Sequence, residues 1–217
     1  EAGCEGWFEI PGVIENAPLK EVQPGRYKGE YEVKAGDNAE DVRIICYLED
    51  KAGNRAKVEV KGKSEIYDKI TIDTTPPRII SVTTHSEEEI LLEGNALEVE
   101  ARGESGCVGW FDIGELKKNI PLKEIKAGVY RGSYEVKPGD LAVNAQVICY
   151  LKDKAGNISS KKALKRVNID ATPPQIELIS NLPERYLKMG ELVEIKIKTE
   201  KKCEASFSIE GLVKDIP

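Results

Sequence analysis

The sequence predicts an all-β protein built from tandem antiparallel β-sandwich domains, and two observations carry this prediction. Residues 3–54 and 106–157 align without a gap at a constant offset of 103, and 30 of these 52 positions are identical. A repeat of about 100 residues is too long for a helical solenoid unit and has the size of one small domain. Within each copy, short runs of alternating apolar and polar residues are separated by turn signals, which is the pattern of short strands.

Two related junctions divide the chain. Asp73-Thr-Thr-Pro-Pro77 and Asp170-Ala-Thr-Pro-Pro174 lie 97 residues apart. Tandem prolines favour extended backbone and lack the N–H that a central strand needs, so these segments are predicted to be short linkers. The predicted domains are an N-terminal copy (1–72), a middle copy (73–169) and a C-terminal copy (170–217).

The middle copy contains seven predicted strands, each bounded by a turn signal such as Glu-Gly-Asn or Pro-Gly-Asp. The strands are predicted at 78–84, 96–103, 107–113, 120–126, 129–136, 144–152 and 158–169. Seven short strands with turns every eight to twelve residues are typical of an antiparallel sandwich.

The two ends of the chain correspond to incomplete domains. The alignment places Glu1 opposite Glu104 and Pro217 opposite Pro121. We therefore expect the N-terminal copy to lack its first two strands and the C-terminal copy to contain only its first three. Either these residues are a window of a longer array, or one copy completes the next by strand exchange in a head-to-tail filament. Both interpretations predict that the end of one copy lies against the start of another.

The alternation in the third strand separates an inner from an outer face. Cys107, Phe111 and Ile113 share one face, which predicts that Phe and Ile fill the core. Trp7 and Trp110 then point outward. They either cover the outer sheet and pack on a neighbouring strand, or form an exposed platform for a sugar or a protein partner.

The five cysteines occur at equivalent positions of the copies. The spacing of 42 residues is the same between Cys4 and Cys46 and between Cys107 and Cys149, while Cys203 has no partner in this chain. This pattern favours one disulfide per domain and hence an oxidising, extracytoplasmic compartment. Zinc is excluded by the ligand count, because two cysteines without a local histidine cannot complete a structural site. A pair of buried free thiols is the remaining alternative.

The composition excludes several classes of partner. The net charge is −6 with both signs interspersed, which argues against nucleic acid and against an anionic membrane surface. No stretch reaches the length of a membrane span. The chain has 24 Lys and 28 Glu but only three Gln, a bias associated with hyperthermophiles.

The sequence predicts no catalytic activity. The only histidine, His85, has no counterpart in the other copies, and neither a Ser–His–Asp set nor a phosphate-binding loop is present. Asn157-Ile-Ser159 is the only N-glycosylation sequon, and turn chemistry explains its Asn first, since Asn54 occupies the same turn without a sequon.

The Asp-Lys-Ala-Gly-Asn turn followed by the Asp-Thr-Thr-Pro-Pro junction resembles the immunoglobulin-like repeats of bacterial and archaeal cell-surface proteins. The resemblance covers essentially the whole chain and implies tandem immunoglobulin-like sandwiches. It also implies that the strands carrying Cys107 and Cys149 are antiparallel neighbours, so that a cross-strand disulfide is feasible. Many such repeats lack cysteine, so a disulfide would be an additional feature of this chain relative to them.

In some members of that family, carboxylates at the junctions bind Ca²⁺ and stiffen the array. The corresponding candidates are Asp50, Asp73, Asp153 and Asp170. Calcium suits such a site because it takes six to eight oxygen ligands from loops. The alternative is that these side chains cap turns through their own backbone, in which case no cofactor is required.

These observations predict a structural, extracellular tandem protein, a segment of a cell-surface filament, surface layer or adhesin stalk. The alternatives are a non-catalytic spacer or a carbohydrate-binding module of a secreted enzyme. The expected partners are adjoining repeats or further copies, end to end, with no nucleic acid and no membrane insertion.

Overall fold

The structure is a computed structural model that describes residues 1–61, 69–179, 187–200, 203–210 and 213–216. In these ranges every regular element is a strand, so the predicted all-β class is confirmed. No helix in the described part of the chain is long and apolar enough to cross a membrane. Part of the predicted C-terminal domain, including Pro217, lies outside the described residues.

The described residues of the N-terminal copy form seven strands, and Asp73 at its boundary is the last residue of the seventh. They are β1 (Glu5–Ile10), β2 (Ile14–Gln23), β3 (Arg26–Lys28), β4 (Asn38–Val42), β5 (Ile45–Glu49), β6 (Arg55–Glu59) and β7 (Ile70–Asp73).

The middle copy has eight strands, and the described residues of the C-terminal copy form four short ones. The middle copy contains β8 (Ile79–His85), β9 (Ile90–Leu91), β10 (Ala96–Gly103), β11 (Val108–Ile113), β12 (Lys117–Lys126), β13 (Val129–Glu135), β14 (Leu141–Lys152) and β15 (Ile158–Asp170). The C-terminal copy contains β16 (Glu177–Leu178), β17 (Ile197–Lys198), β18 (Phe207–Ile209) and β19 (Val213–Ile216).

The strand order of the middle copy is β8-β10-β13-β12-β11-β14-β15-β9. Strand β12 joins two groups of strands, because its first half pairs with β11 and its second half with β13. Strands β8 and β15, which belong to different groups, also contact each other. All seven predicted strands are present. The prediction missed β9, a two-residue strand that pairs in parallel with β15.

One continuous core lies between the two groups of strands. Its fully buried side chains come from both groups, and they include Leu97, Val99, Ala101, Tyr130, Phe111, Ile113, Val147, Cys149, Leu151 and Ile169. Phe111 and Ile113 are buried as the alternation predicted, because odd-numbered positions of β11 face the core. This burial of large apolar side chains is the main stabilising contribution to the copy.

The N-terminal copy repeats the ladder of the middle copy but is less buried. Phe8 lies opposite Cys46 as Phe111 lies opposite Cys149. In the described residues its β3 is only three residues long and pairs with β2 alone, whereas the corresponding β13 pairs with both β12 and β10. Its core face is correspondingly open: Val33 is 49% exposed, whereas its counterpart Val136 is 2% exposed.

Two strand pairs of the C-terminal copy have the same register as the equivalent pairs of the middle copy. The pair Leu178–Ile197 corresponds to Val82–Ala101, and Ile209–Val213 corresponds to Ile113–Lys117, at an offset of 96. In the described residues the inner face of this copy is exposed: Leu178 is 69% exposed, whereas Val82 is 4% exposed.

Candidate functional site: the side chains shared by the copies

The outward-pointing tryptophans each stack on a tyrosine of the neighbouring strand. Trp7 lies directly opposite Tyr47, and Trp110 lies directly opposite Tyr150. The ring centroids are 5.3 Å apart in the first pair and 5.4 Å in the second, with interplanar angles of 6° and 7°. Because the parallel rings turn a face toward each other, each pair stabilises the sheet in the manner of a cross-strand aromatic contact.

The surroundings of the two aromatic pairs differ. In the N-terminal copy the guanidinium of Arg55 lies 5.6 Å from the Trp7 ring, and the Tyr47 hydroxyl donates to Glu9 at 3.0 Å. The counterpart of Arg55 in the middle copy is Ile158, which lies opposite Lys152 and is half exposed. A shared sugar platform would need the same free ring faces in both copies, and this arrangement favours sheet packing instead.

In each copy a tyrosine hydroxyl forms hydrogen bonds with the turn that precedes β1 or its counterpart β11. Tyr130 donates from its hydroxyl to the Glu104 carbonyl at 2.6 Å and accepts from the Cys107 N–H at 3.0 Å. Tyr27 makes the same two contacts in the N-terminal copy, at 3.2 and 2.8 Å. Burial raises the pKa of Tyr130 to about 12, so the hydroxyl keeps its proton and its donor role at neutral pH.

A repeated glutamate supports the same turn. The Glu124 carboxylate accepts from the backbone N–H of Gly106 at 3.1 Å and of Gly128 at 2.7 Å. In the N-terminal copy, Glu21 accepts from Gly3 and Gly25 at 3.0 and 2.6 Å. Hydrogen bonds to an ionised carboxylate are among the stronger ones, and the repeated Pro-Leu-Lys-Glu motif therefore has a structural role.

The repeated Tyr-Glu-Val-Lys and Gly-Asp residues form a second internal contact. Tyr134 donates to Asp140 at 2.7 Å, and the same carboxylate accepts from the Lys137 N–H at 2.8 Å. Tyr31 and Asp37 form the equivalent bond in the N-terminal copy at 2.8 Å. The backbone N–H of Lys34, followed by the Tyr31 hydroxyl, lowers the pKa of Asp37.

The disulfides predicted between Cys4 and Cys46 and between Cys107 and Cys149 are not formed, and all five cysteines are free thiols. The register explains the error. Cys149 lies opposite Phe111, four residues along the strand from Cys107. Four residues span about 13 Å in a strand, and a disulfide requires Cα atoms within about 7 Å. The alternative of free thiols, with Cys149 in the core, is therefore the one observed.

We expect the thiols to react with an alkylating reagent in an order set by burial. Cys203 is exposed, whereas Cys149 is fully buried, and burial followed by the Asp112 carboxylate raises the pKa of Cys149 to about 12. Because the thiolate is the reactive species, Cys203 should be modified first and Cys149 only after unfolding. Mass spectrometry of peptides after timed iodoacetamide treatment measures this order. Modification of Cys149 in the folded chain at the rate of Cys203 would contradict it.

The aspartates predicted to bind calcium serve local turns. The Asp153 carboxylate accepts from the backbone N–H of Gly156 at 2.7 Å and of Asn157 at 2.9 Å. Asp50 accepts from Ala52 and Asn54 in the same way, at 2.8 and 2.9 Å. The side-chain hydrogen bond from Asn54 is the largest cause that lowers the pKa of Asp50.

The other two aspartates cap the junction segments. Asp73 accepts from the Thr75 N–H at 2.9 Å, and Asp170 accepts from the Thr172 N–H and hydroxyl at 3.2 and 2.6 Å. In the described part of the chain, no group of three or more His, Cys, Asp or Glu side chains is placed to hold a metal ion. The capping alternative thus describes the observed contacts, and calcium binding by these residues stays a prediction.

The sequence did not single out the surface around His85. His85 pairs with Glu98 at the edge strand β8, and with Glu100 and Arg131 it lines a shallow depression. Glu100 forms ion pairs with Arg102 at 2.9 Å and with Arg131 at 2.8 Å, and these two guanidinium groups lower its pKa. The depression is thus lined by charges that already neutralise one another.

Comparisons with protein-family models, with curated proteins and with solved structures gave no match. The functional conclusion therefore depends on the geometry of the repeated side chains and on the resemblance of the turn and junction motifs.

Proposed function

We propose that this chain is a structural segment of an extracellular tandem-repeat protein, a part of a cell-surface filament, surface layer or adhesin stalk. One observation carries the proposal: the repeated tyrosine, glutamate and tryptophan side chains make the same internal contacts in both copies. Tyr130 and Tyr27 support the same turn, and Trp110 and Trp7 stack on equivalent tyrosines. Duplicated residues that bind their own domain favour a scaffold, whereas a duplicated active site would leave reactive groups free.

The proposed domain type is an immunoglobulin-like sandwich. The order of strands in the middle copy supports it, because β12 passes from one group of strands to the other. The two-residue strand β9 supports it further, since it leaves the β8 side and pairs in parallel with the last strand, β15. The proline-containing segments at 74–78 and 171–176 contain no strand and act in this proposal as linkers.

The proposed partners are adjoining repeats of the same kind, either in the same polypeptide or in another copy. Val33 in the N-terminal copy and Leu178 in the C-terminal copy occupy positions that are buried in the middle copy. Repeats that cover these inner faces end to end would bury them in the same way. The proposed extracellular location is supported by the resemblance to cell-surface repeats alone. The cysteines are free thiols, so disulfides do not support it.

Stretching the chain from its two ends tests the mechanical role. Force applied to the middle copy enters through β8 and leaves through β15. Once β8 separates from β10, the force draws β9 and β15 past each other, so the hydrogen bonds of the two parallel pairs are loaded together in shear. We expect one discrete unfolding step for this copy, with a contour-length gain of about 300 Å for its 97 residues. Optical-tweezer extension of the full chain measures this step.

Two core substitutions separate mechanical from thermodynamic effects. Leu91 in β9 and Leu97 in β10 are both fully buried, and truncation of either to Ala is expected to cost about 2–5 kcal/mol. Leu91→Ala should lower the unfolding force more than Leu97→Ala, because Leu91 holds the strand under load. Gradual extension at low force, without a discrete step, would contradict the structural proposal.

A further inference from the structure

The carboxamide of Asn157 connects the middle copy to the junction segment before it. Its Nδ2 donates to the Asp73 carbonyl at 3.0 Å and to the Asp153 carboxylate at 2.9 Å. Asp73 is the last residue of β7, the closing strand of the N-terminal copy. The two N–H groups of one amide therefore bind two different copies.

The junction segment is also bound on its N-terminal side. The Thr74 hydroxyl accepts from the Gly36 N–H at 2.9 Å and donates to the Asp37 carbonyl at 3.1 Å. The Asn38 side-chain oxygen accepts from the Thr74 N–H at 3.1 Å. Beyond these contacts, Pro77 is fully buried. The segment between the copies is thus held at its start, where Asn157 binds Asp73 and the N-terminal copy binds Thr74, and at its end, where Pro77 is buried.

We propose that the Asp153–Asn157 turn is the docking surface for the preceding junction segment, and that the Asn157 amide fixes the orientation of the N-terminal copy relative to the middle copy. This inference rests on the proposed structural function and assigns the residue that defines the joint. It also assigns a role to the sequon. A sugar on Nδ2 would leave a single N–H, so a glycan at Asn157 and the two observed hydrogen bonds exclude each other.

The N-terminal copy contains a matched control for this residue. Asn54 occupies the same turn and donates from Nδ2 to Asp50 at 2.8 Å, as Asn157 does to Asp153. The contacts described for Asn54 stay within its own turn, and its side chain is exposed, whereas Asn157 is half-buried. Asn54→Ala and Asn157→Ala therefore remove the same local hydrogen bond, and only Asn157→Ala also removes the contact to Asp73.

Residual dipolar couplings of the full chain test the proposal, because they give one alignment tensor for each copy. In the unsubstituted protein the N-terminal and middle copies should share a tensor. Asn157→Ala and Asn157→Asp should lower the equilibrium constant for docking about fivefold, the effect of one hydrogen bond, and separate the two tensors. Asn54→Ala should leave them equal. Amide spectra check that each copy remains folded.

Three results would overturn the proposal. They are two different tensors in the unsubstituted protein, equal tensors in both Asn157 variants, and an equal loss of alignment in Asn54→Ala and Asn157→Ala. None of them bears on the unfolding force of the middle copy, which tests the proposed function separately. Failure of the joint and failure of the mechanical role are therefore distinguishable.

Discussion

Raising the pH from 9 to 12 is expected to unfold the middle copy, because three buried groups hold their protons in the fold. Burial raises the pKa of Tyr130 and of Tyr134 from 10.0 to about 12, and that of Cys149 from 9.0 to about 12. Tyr134 also donates to Asp140, whose negative charge opposes formation of a tyrosinate. Each group is therefore neutral in the fold at a pH where it ionises in the unfolded chain.

The sign of the effect follows from proton binding. Between the unfolded and folded pKa values the folded state binds more protons, so the free energy of unfolding falls as the pH rises. The contribution is complete below about pH 9 and is lost as the pH passes through 12. A shift of two units corresponds to about 2.7 kcal/mol for each tyrosine, and domains of this size are typically stable by only 5–15 kcal/mol.

Tryptophan fluorescence measures this prediction in the middle copy. In a Trp7→Phe background Trp110 reports on that copy, and urea midpoints at each pH give its stability. Tyr130→Phe should lower the stability at pH 8 but flatten its dependence between pH 10 and 12. Tyr27→Phe, read by Trp7 in a Trp110→Phe background, is the matched control, since Tyr27 is partly exposed. A urea midpoint that stays constant from pH 9 to 12 would show that these groups do not titrate as stated.

The alternation of the sequence predicted the strands and the inner face because burial depends on side-chain direction, which has a period of two. Phe111 and Ile113 were assigned to the core on this basis and are buried there. Strand β9 was not predicted because its two residues, Ile90 and Leu91, are too few to show an alternation of apolar and polar side chains. Its pairing with β15 depends on the closure of the whole copy.

The disulfide prediction failed at the level of register. The equal spacing of the cysteines reflects duplication of the domain and carries no information on which residues face each other. Alternation placed Cys107 on the inner face, but turns and irregularities between strands decide that Cys149 lies opposite Phe111.

The structural roles of Glu124 and Tyr130 were missed for a related reason. Their repetition marked them, but their acceptors and donors lie in turns that only the folded ladder brings near.

The second large effect is expected from Gly132→Ala, which places a methyl group where β13 passes β12 most closely. A Cβ at this position would lie 2.5 Å from the Pro121 carbonyl oxygen and 3.2 Å from the Phe111 ring. Pro121 is held in the ladder opposite Trp110, so its carbonyl cannot move away without breaking strand pairing. Overpacking of this kind typically costs about 1–3 kcal/mol, and the backbone obstacle places Gly132→Ala at the upper end.

Two further substitutions define the cause of this effect by urea unfolding, with Trp110 reporting on the middle copy and Trp7, in a Trp110→Phe background, on the N-terminal copy. Ser133→Ala lies on the outer face of the same strand and should change the stability by less than about 0.5 kcal/mol. Gly29→Ala, the counterpart in the N-terminal copy, would meet the Phe8 ring at 2.6 Å and Leu19 Cδ2 at 2.7 Å. These obstacles are side chains in a more open core, so they can rotate and the cost should be smaller than for Gly132→Ala. An equal cost at both glycines would show that ring crowding, rather than the backbone of β12, requires glycine at this position.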